Sequence, residues 1–578
     1  METTFTKAET LKVESRGLRG SLAEEFALPA GKLSGAAETL VKFHGMYQQK
    51  DRDRRRPEER HLGPKPFTLM VRGRIPGGRL SAAQWLAWDS VATEYSTEGL
   101  RITTRQSLQL HGVLKGNVKP ALQAIAAALS TTTGACGDVV RNVMQPPNPR
   151  GAARLASLDS VSELLSQHFE VRTRAYAEIF LDGAVQTEPP VEEEPIYGRG
   201  YLPRKFKIAV TEAGNNSVDL FTQDLAFAAT FDEGGATITG FHVYAGGGMG
   251  RTNGDEATFP RLADALGWIP APALLRVAEA VVTTQRDFGD RLERSQARLK
   301  YTIERHGVAW FRAAVESRAS VLFTDRLEPE WQTPTHLGWM HRHDGTLALG
   351  AHVLSGRLRD SSESALKSAI AELVARYDLE VQLTPEQDII LLGIPAAARG
   401  EVERHLALRR VNLSSPTRLY DRALTCVALP MCSKALAEAE RIGPELFGAI
   451  AAILEAKGLG DRAPTVRVTG CPNGCARPYA AELGLVGQLP GHYALYVGGH
   501  VEETRLAFHL ADKVPLAKVP GVVERLFILW GHGGDNRERF GDFVQRVPRA
   551  LLLGAVTDGL AAQTRAEALT ALSQTAEG

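Results

Sequence analysis

From residue 66 onward the chain alternates apolar and polar positions (FTLMVRGRI), changes to a helical spacing (LSAAQWLAWDSVATEYS), and then alternates again (RITTRQSLQLHGV). Period-two text suits a half-buried strand, because successive side chains point to opposite faces, whereas apolar residues three and four apart suit an amphipathic helix. The succession predicts an α+β unit with antiparallel strands. If RITTRQSLQLH is one strand, Arg101, Thr103, Arg105, Ser107, Gln109 and His111 share a face. Lys205 and Lys207 share one in the same way if KFKIAV is a strand.

The pattern returns further along. LRITTRQSLQLHGV at 100–113 aligns with VQLTPEQDIILLGI at 381–394, pairing Thr103 with Thr384, Gln106 with Gln387 and Gly112 with Gly393 at a constant offset of 281. The neighbouring FTLMVRGRIPGGRLS resembles LGWMHRHDGTLALGAHVLSGRL, and a helical stretch comes after each. These matches imply an internal duplication about a pseudo-two-fold axis, and the interface of two such halves is a natural place for a large ligand. Residues 275–305 read as long helical material and 434–457 as an amphipathic helix; 555–578 read as a polar, Ala-rich tail. The lead-in, 1–60, ends in KFHGMYQQKDRDRRRPEER, whose basic run is either a solvated face or an arm over an anionic cofactor.

Composition narrows the class. A chain of 578 residues allows several domains and a large core, and 67 Lys+Arg against 67 Asp+Glu is not the balance of a protein that coats a polyanion, so no nucleic-acid partner is expected. No apolar run approaches the ~18 residues of a membrane helix, and METTFTKAETLKVESRGLRG has no apolar h-region. The expectation is a cytoplasmic protein with no membrane partner.

Cysteine carries the first chemical signal. Of five cysteines, four fall within fifty residues: Cys426 and Cys432 in CVALPMC, and Cys471 and Cys475 in CPNGC. In a reducing compartment such clustering reads as metal ligation. Structural zinc prefers two short knuckles, and the five-residue gap of CVALPMC is long for one; a [4Fe–4S] cube tolerates wider spacing. Iron–sulfur, zinc and unconnected core thiols all remain open on spacing alone. The strand bearing Arg105, Gln109 and His111 is either a solvent-facing strand or a wall of donors for carboxylates or oxyanions, and the isolated cations Arg72, Arg74, Arg141, Lys205 and Lys207, taken singly, read as surface charges. GGGMGRT at 246–252 lacks dinucleotide spacing and marks close backbone approach to something bulky or anionic.

In order along the chain, SRGLRGSLAEEF, KFHGMYQQKDRD, RGRIPGG, TTRQSLQLHG, TRAYAEIFLD, YLPRKFK, GGGMGRT, AVVTTQRDFGDR, CVALPMC with AEAER, and TGCPNGC together resemble the siroheme-containing sulfite and nitrite reductases. The resemblance implies paired ferredoxin-like half-domains (65–130 and 331–410) and two α/β siroheme and cluster domains (131–330 and 411–578), behind an N-terminal arm (1–64). It implies that Cys426, Cys432, Cys471 and Cys475 hold a [4Fe–4S] cluster, with Cys475 also ligating siroheme iron. It places Arg72, Arg141, Lys205 and Lys207 around the bound substrate anion, and Arg105, Gln109, His111, Asn142, Asn473 and Arg477 about the siroheme. Cys136 matches no ligand and reads as an inert buried thiol. The implied reaction is six-electron reduction of sulfite to sulfide; reduction of nitrite to ammonia, or non-catalytic electron transfer, are the alternatives. No P-loop, flavodoxin-like segment or nicotinamide fingerprint is visible, so electrons must come from a partner, a flavoprotein subunit or a ferredoxin, with AVVTTQRDFGDRLERSQARLKYTIERHGV closer to the flavoprotein-partnered type.

Overall fold

The lead-in supplies β1 (Met46–Gln49), and the first alternating block folds as four strands, β2 (Thr68–Arg72), β3 (Arg79–Leu80), β4 (Leu100–Ile102) and β5 (Leu108–Leu114). The helix Ala82–Tyr95 between β3 and β4 starts at a capping box, in which Ser81 Oγ accepts the Gln84 N–H and Gln84 Oε1 accepts that of Ser81. It buries Trp85, Trp88 and Val91, three residues apart, which is the spacing of a helix with one face on a sheet. RITTRQSLQLH is not one strand. Residues 103–107 form a turn between β4 and β5, with Gln106 at φ 49°, so Arg101 and Gln109 face each other across a hairpin and Arg105 sits at its tip. Alternation continued through the turn in the sequence, and Thr103, which accepts the N–H groups of Arg105 and Ser107, is what folds it back.

The structure is a computed structural model that describes residues 6–28, 31–53, 67–183, 194–412 and 417–557. Arg54–Arg60 of the basic run, and the tail from 558, lie outside them. The chain divides into two compact units, Met1–Gly248 with Ala263–Ser414, and Met249–Leu262 with Ser415–Gly578.

Within the first unit, β6 (Ile208–Glu212), β7 (Leu225–Phe231), β8 (Ile238–Ala245) and β9 (Asp264–Pro270) form a second sheet, parallel between β6 and β7 and antiparallel beyond. Lys205 and Lys207 lie just before β6 on extended backbone, with Phe206 bridged to Val140. The long helical stretch is broken: Leu274–Phe288, Leu299–His306 and Val308–Ala319 are separate helices, interrupted first at Gly289 and again at Gly307.

The second repeat supplies β10 (Gly338–His341), β11 (Leu347–Ala351), β12 (Arg357–Leu358), β13 (Glu380–Leu383) and β14 (Ile389–Ile394). The two repeats exchange a strand: one sheet runs β1-β2-β5-β4-β12 and the other β10-β11-β14-β13-β3. The exchange is reciprocal down to the turn residues. Gln106 donates to Leu383 O at 2.9 Å, and Gln387, at φ 71°, donates to Ile102 O at 3.3 Å. Gly78, at φ 69°, has the Leu383 carbonyl 2.7 Å from where a Cβ would stand, and Gly356, also at φ 69°, has that of Ile102 closer still. A side chain at either position would force the exchanged strands apart.

The second unit contains β15 (Leu424–Thr425), β16 (Val466–Thr469), β17 (Leu483–Leu489), β18 (His492–Val497) and β19 (Phe508–Pro515) in that spatial order. Its helix Gly443–Ala456 begins later than the spacing from 434 suggests, because 434–442 is a run of turns, and Pro444 then starts the helix in its first turn.

Candidate functional site

The two cysteine pairs are brought to one end of a sheet because two parallel strands end together. Leu424 and Thr425 of β15 pair with Arg467 and Val468 of β16, so Cys426 leaves one strand beside the Gly470–Cys471 exit of the other. Loops at the carboxyl ends of parallel strands are where such sheets bind ligands. Gly470 N–H points at Cys426 Sγ at 3.3 Å, and the Gly470 carbonyl takes the N–H groups of Leu436 and Ala437, tying the segment after Cys432 to the second pair. Burial pushes the Cys426 thiol up, and Cys475, Cys432 and Cys471 push it further. Burial and then Cys475 push Cys471 up to about 12, against hydrogen bonds from Asn473. Thiols gathered in this way fit a metal, whose binding takes their protons. Among the described residues no three His, Cys, Asp or Glu side chains converge on one ion position.

Behind this loop lies a set of cations that sequence reasoning caught only in part. Arg477, in left-handed conformation at φ 58°, lies 3.8 Å from Glu503, which also holds buried Arg467 and, at 3.8 Å, Arg422. Three guanidinium groups thus share one buried carboxylate. Arg467 sat inside an ordinary strand pattern and carried no signal in the sequence.

In the first unit the lysine pair stands among other cations. Burial pushes Lys205 well below the usual lysine range, and the charges of Lys207, Arg298, Arg141 and Arg204 push it further. Residues 138–144 run parallel to 202–209: Arg141 N–H donates to Phe206 O at 3.0 Å and Phe206 N–H to Val139 O at 3.0 Å, which brings Arg141 and the lysines to one place. Two buried acids brace the set. Asp138 takes Arg294 at 2.9 Å and Arg204 at 3.9 Å; Asp224 takes Arg298 at 2.8 Å and accepts the Lys207 N–H at 2.9 Å. A concentration of positive charge of this kind is costly without an anion, so the donors fit an oxyanion or carboxylate ligand.

Arg72 lies at the end of β2, its Nη1 donating to Cys136 Sγ at 3.0 Å and its guanidinium 5.8 Å from the Tyr47 ring; Arg141 Nη2 reaches the Tyr47 hydroxyl at 3.4 Å. Arg72, Arg141 and Cys136 therefore gather about Tyr47, a residue the sequence did not single out. Arg105 shares its guanidinium among Gln223 Oε1 at 2.7 Å, Ile208 O at 2.9 Å and Met144 Sδ at 3.2 Å. Asn142 engages Ile75 N–H and the carbonyls of Arg105 and Gln106, which makes it a clamp on the hairpin tip. Gln109 lies opposite both Arg72 and Arg101, and its Oε1 is 3.3 Å from His111 Nε2. Burial, and then the charges of Arg357, Arg101 and Arg72, push His111 well below the usual histidine range. Arg357, which the sequence did not single out, comes from the second repeat and stands opposite Arg101 through the strand exchange.

Three comparisons bear on this arrangement. The model of the nitrite/sulfite reductase ferredoxin-like half domain matches twice, at residues 62–128 and 340–409, and that of the nitrite and sulphite reductase 4Fe-4S domain matches residues 160–323. The sulfite reductase [NADPH] hemoprotein beta-component of Myxococcus xanthus is 42% identical over 94% of this chain and 96% of its own. That of a Methylobacterium species is 43% identical over 93% of this chain and 90% of its own. The solved structure of the Mycobacterium tuberculosis NirA protein covers 94% of the chain and 95% of itself at a TM-score of 0.76 and 24% identity, a likeness of fold.

Proposed function

The chain belongs to the nitrite and sulfite reductase family, and from that premise we propose that it reduces sulfite to sulfide, with siroheme and a [4Fe–4S] cluster as resident cofactors and a separate flavoprotein as electron donor. The observation that carries the reading is the presence of two specialised sites in one chain: Cys426 beside the Gly470–Cys471 exit of the neighbouring strand, and Arg141 and the two lysines brought together where 138–144 runs parallel to 202–209. Cys426, Cys432, Cys471 and Cys475 would hold the cluster; Arg101 and Gln109, opposite each other on the first sheet, would hold carboxylates of siroheme, and Arg72, next along that row, would meet the substrate anion. The chemistry these groups supply when bound is a reducible iron beside an electron store.

The protein's own part is charge and protons. Sulfite is a small dianion whose oxygens must leave as water, so each needs a positive partner and then two protons. Arg141 is fixed by Gly137 O and Tyr47 and remains a cation at any working pH, which suits it to holding an oxygen. Lys205, buried among cations, gives up its proton more readily than an ordinary lysine and suits the donor's role at an oxygen of the substrate. Lys207 adds charge beside it, its backbone pinned by Asp224.

The flavoprotein partner rests on the beta-component relatives, whose name includes NADPH, and on the lack of a nicotinamide or flavin motif in the sequence. Among the described residues no helix is long and apolar enough to cross a membrane. The test is direct: the purified chain should show siroheme absorption, form sulfide with an artificial reductant, and stay inert with NADPH alone. Absence of siroheme sinks the reading, NADPH turnover by the isolated chain removes the partner, and faster turnover of nitrite than of sulfite reassigns the substrate.

A further inference from the structure

β12 is two residues long and belongs by sequence to the second repeat, yet it forms the edge of the first sheet, with Arg357 opposite Arg101 and Leu358 opposite Leu100. Directly opposed residues share a sheet face. Arg72, Gln109, Arg101 and Arg357 therefore form one row across β2, β5, β4 and β12, while Val71, Leu110, Leu100 and Leu358 form the adjacent row on the other face, all four buried. The apolar row fixes which way the charged one points, because a slip of one residue would put arginines into the core. Arg357 Nη1 donates to the Glu98 carbonyl at 3.0 Å, which steadies a long side chain at the end of the row.

The duplicated sheet offers an internal control. Its equivalent row, across β3, β13, β14 and β11, reads Arg79, Gln382, Ile390 and Gly350. There Arg79 is held between the carboxylates of Asp159 and Glu380, Gln382 accepts the Asn148 N–H, and Ile390 packs with Met340, Ala348 and Leu392. That row thus has one arginine, paired with two carboxylates, one glutamine and two positions without a polar side chain, whereas the row of the first sheet has three arginines and a glutamine in line.

We propose that Arg357 is a further binding residue for the macrocycle, taking one of its carboxylates at the end of the row formed by Arg72, Gln109 and Arg101. Strand exchange thereby makes the second repeat a part of the cofactor site. The inference rests on siroheme being the cofactor. An arginine fork matches a carboxylate in two parallel hydrogen bonds, and siroheme bears eight carboxylates, which several aligned forks can meet together.

The experiment uses the full chain produced in cells that make no siroheme, titrated with uroporphyrin III, which also bears eight carboxylates, and followed by porphyrin fluorescence. Arg357→Met should weaken binding about 10- to 100-fold, the value of a lost hydrogen bond to a charged group. Arg79→Met, the symmetry mate, should leave affinity unchanged. Protein from siroheme-producing cells should show the same order in siroheme retained per chain. Wild-type affinity in Arg357→Met, or an equal loss in Arg79→Met, overturns the proposal. If Arg357→Met does not fold, Arg357→Lys decides: it keeps the charge without the fork, so a several-fold loss with an unchanged melting temperature supports the assignment and wild-type affinity overturns it. A wild-type chain that binds neither uroporphyrin nor siroheme brings down the cofactor reading itself, and this assignment with it.

Discussion

The lysine-bearing sheet β6–β9 and the cysteine-bearing sheet β16–β19 are the same structure with different chemistry. Ile208 pairs with Leu225 in parallel, and Val466 pairs with Leu483. Lys207 N–H donates to Asp224 and the Thr465 N–H donates to Glu482, each at 2.9 Å. Gly246, at φ 90°, donates to Asp224 O, and Gly498, at φ 91°, to Glu482 O. At an offset of 258, TEAGNNS (211–217) lies on TGCPNGC (469–475), so Ala213 and Ser217 stand where Cys471 and Cys475 stand, and Asp219 and Arg477 are both left-handed at φ 51° and 58°. The scaffold constrains backbone groups and the buried clamp; the loop after the strand is free to become a metal site in one copy and an ordinary turn in the other. This also accounts for the 4Fe-4S family model matching 160–323, a span without a single cysteine: it matches the copy that kept the shape.

The comparison breaks most visibly at Cys475. Cys475→Ser gives the loop the residue its counterpart has, and a hydroxyl is a poor ligand for a soft metal. Loss of the cluster and of all sulfite turnover is expected, read as iron and acid-labile sulfide per chain; a full complement of both would mean Cys475 is not a ligand. The reciprocal Ser217→Cys should change neither, because Ala213 leaves that loop without the rest of the set.

Next in size is the lysine copy. Lys207→Ala should lower sulfite turnover by roughly two to four orders of magnitude, the range for losing a positioned donor or oxyanion partner, while the siroheme spectrum stays nearly as it was. Steady-state kinetics on cofactor-replete protein decide, and an unchanged rate leaves the arginines to account for substrate binding.

The shared clamp should separate the copies by stability. Asp224 and Arg298 are both buried, so Asp224→Asn leaves a guanidinium without its charge partner in the interior, a loss of about 3–5 kcal/mol. Glu482 is as buried as Asp224, but Arg539 reaches it from a partly exposed position and can turn to water. Glu482→Gln should cost less, and denaturant melts of the two variants measure the difference; an equal loss would mean that the backbone donors, not the arginines, set the cost.

How much of this was legible in the sequence depended on whether a feature was local. The first duplication showed because turn residues such as Gln106 and Gln387 have fixed backbone tasks, and the cysteine pairs showed because ligands need particular atoms. The second duplication did not show, since its equivalences are carried by backbone hydrogen bonds and by Asp224 against Glu482, which few identical letters record. Arg357 was invisible for a related reason: its partners are set by which sheet β12 joins, a tertiary choice. The hairpin within RITTRQSLQLH was missed because alternation continues through a turn made by one threonine side chain.

The smallest predicted effect is also the one that tests the electrostatics of the comparison directly. Lys205 is faced by Lys207, Arg298, Arg141 and Arg204, and burial and these charges lower its proton affinity; its counterpart in the cysteine sheet is Ala463, with nothing to titrate. Between the lowered value in the folded state and the ordinary lysine value of 10.5, the unfolded chain binds the extra proton, so stability without an anion should rise with pH across that window. A bound dianion favours the charged lysine and raises its proton affinity. Sulfite binding above the lowered value should therefore take up a fraction of a proton, and affinity should fall as pH rises. Calorimetry in buffers of different ionisation heat measures the uptake. Lys205→Met should abolish it while the siroheme spectrum is retained. Uptake that persists in the variant would assign the proton to another group, and no uptake in the wild type would show that Lys205 does not change its protonation when the anion arrives.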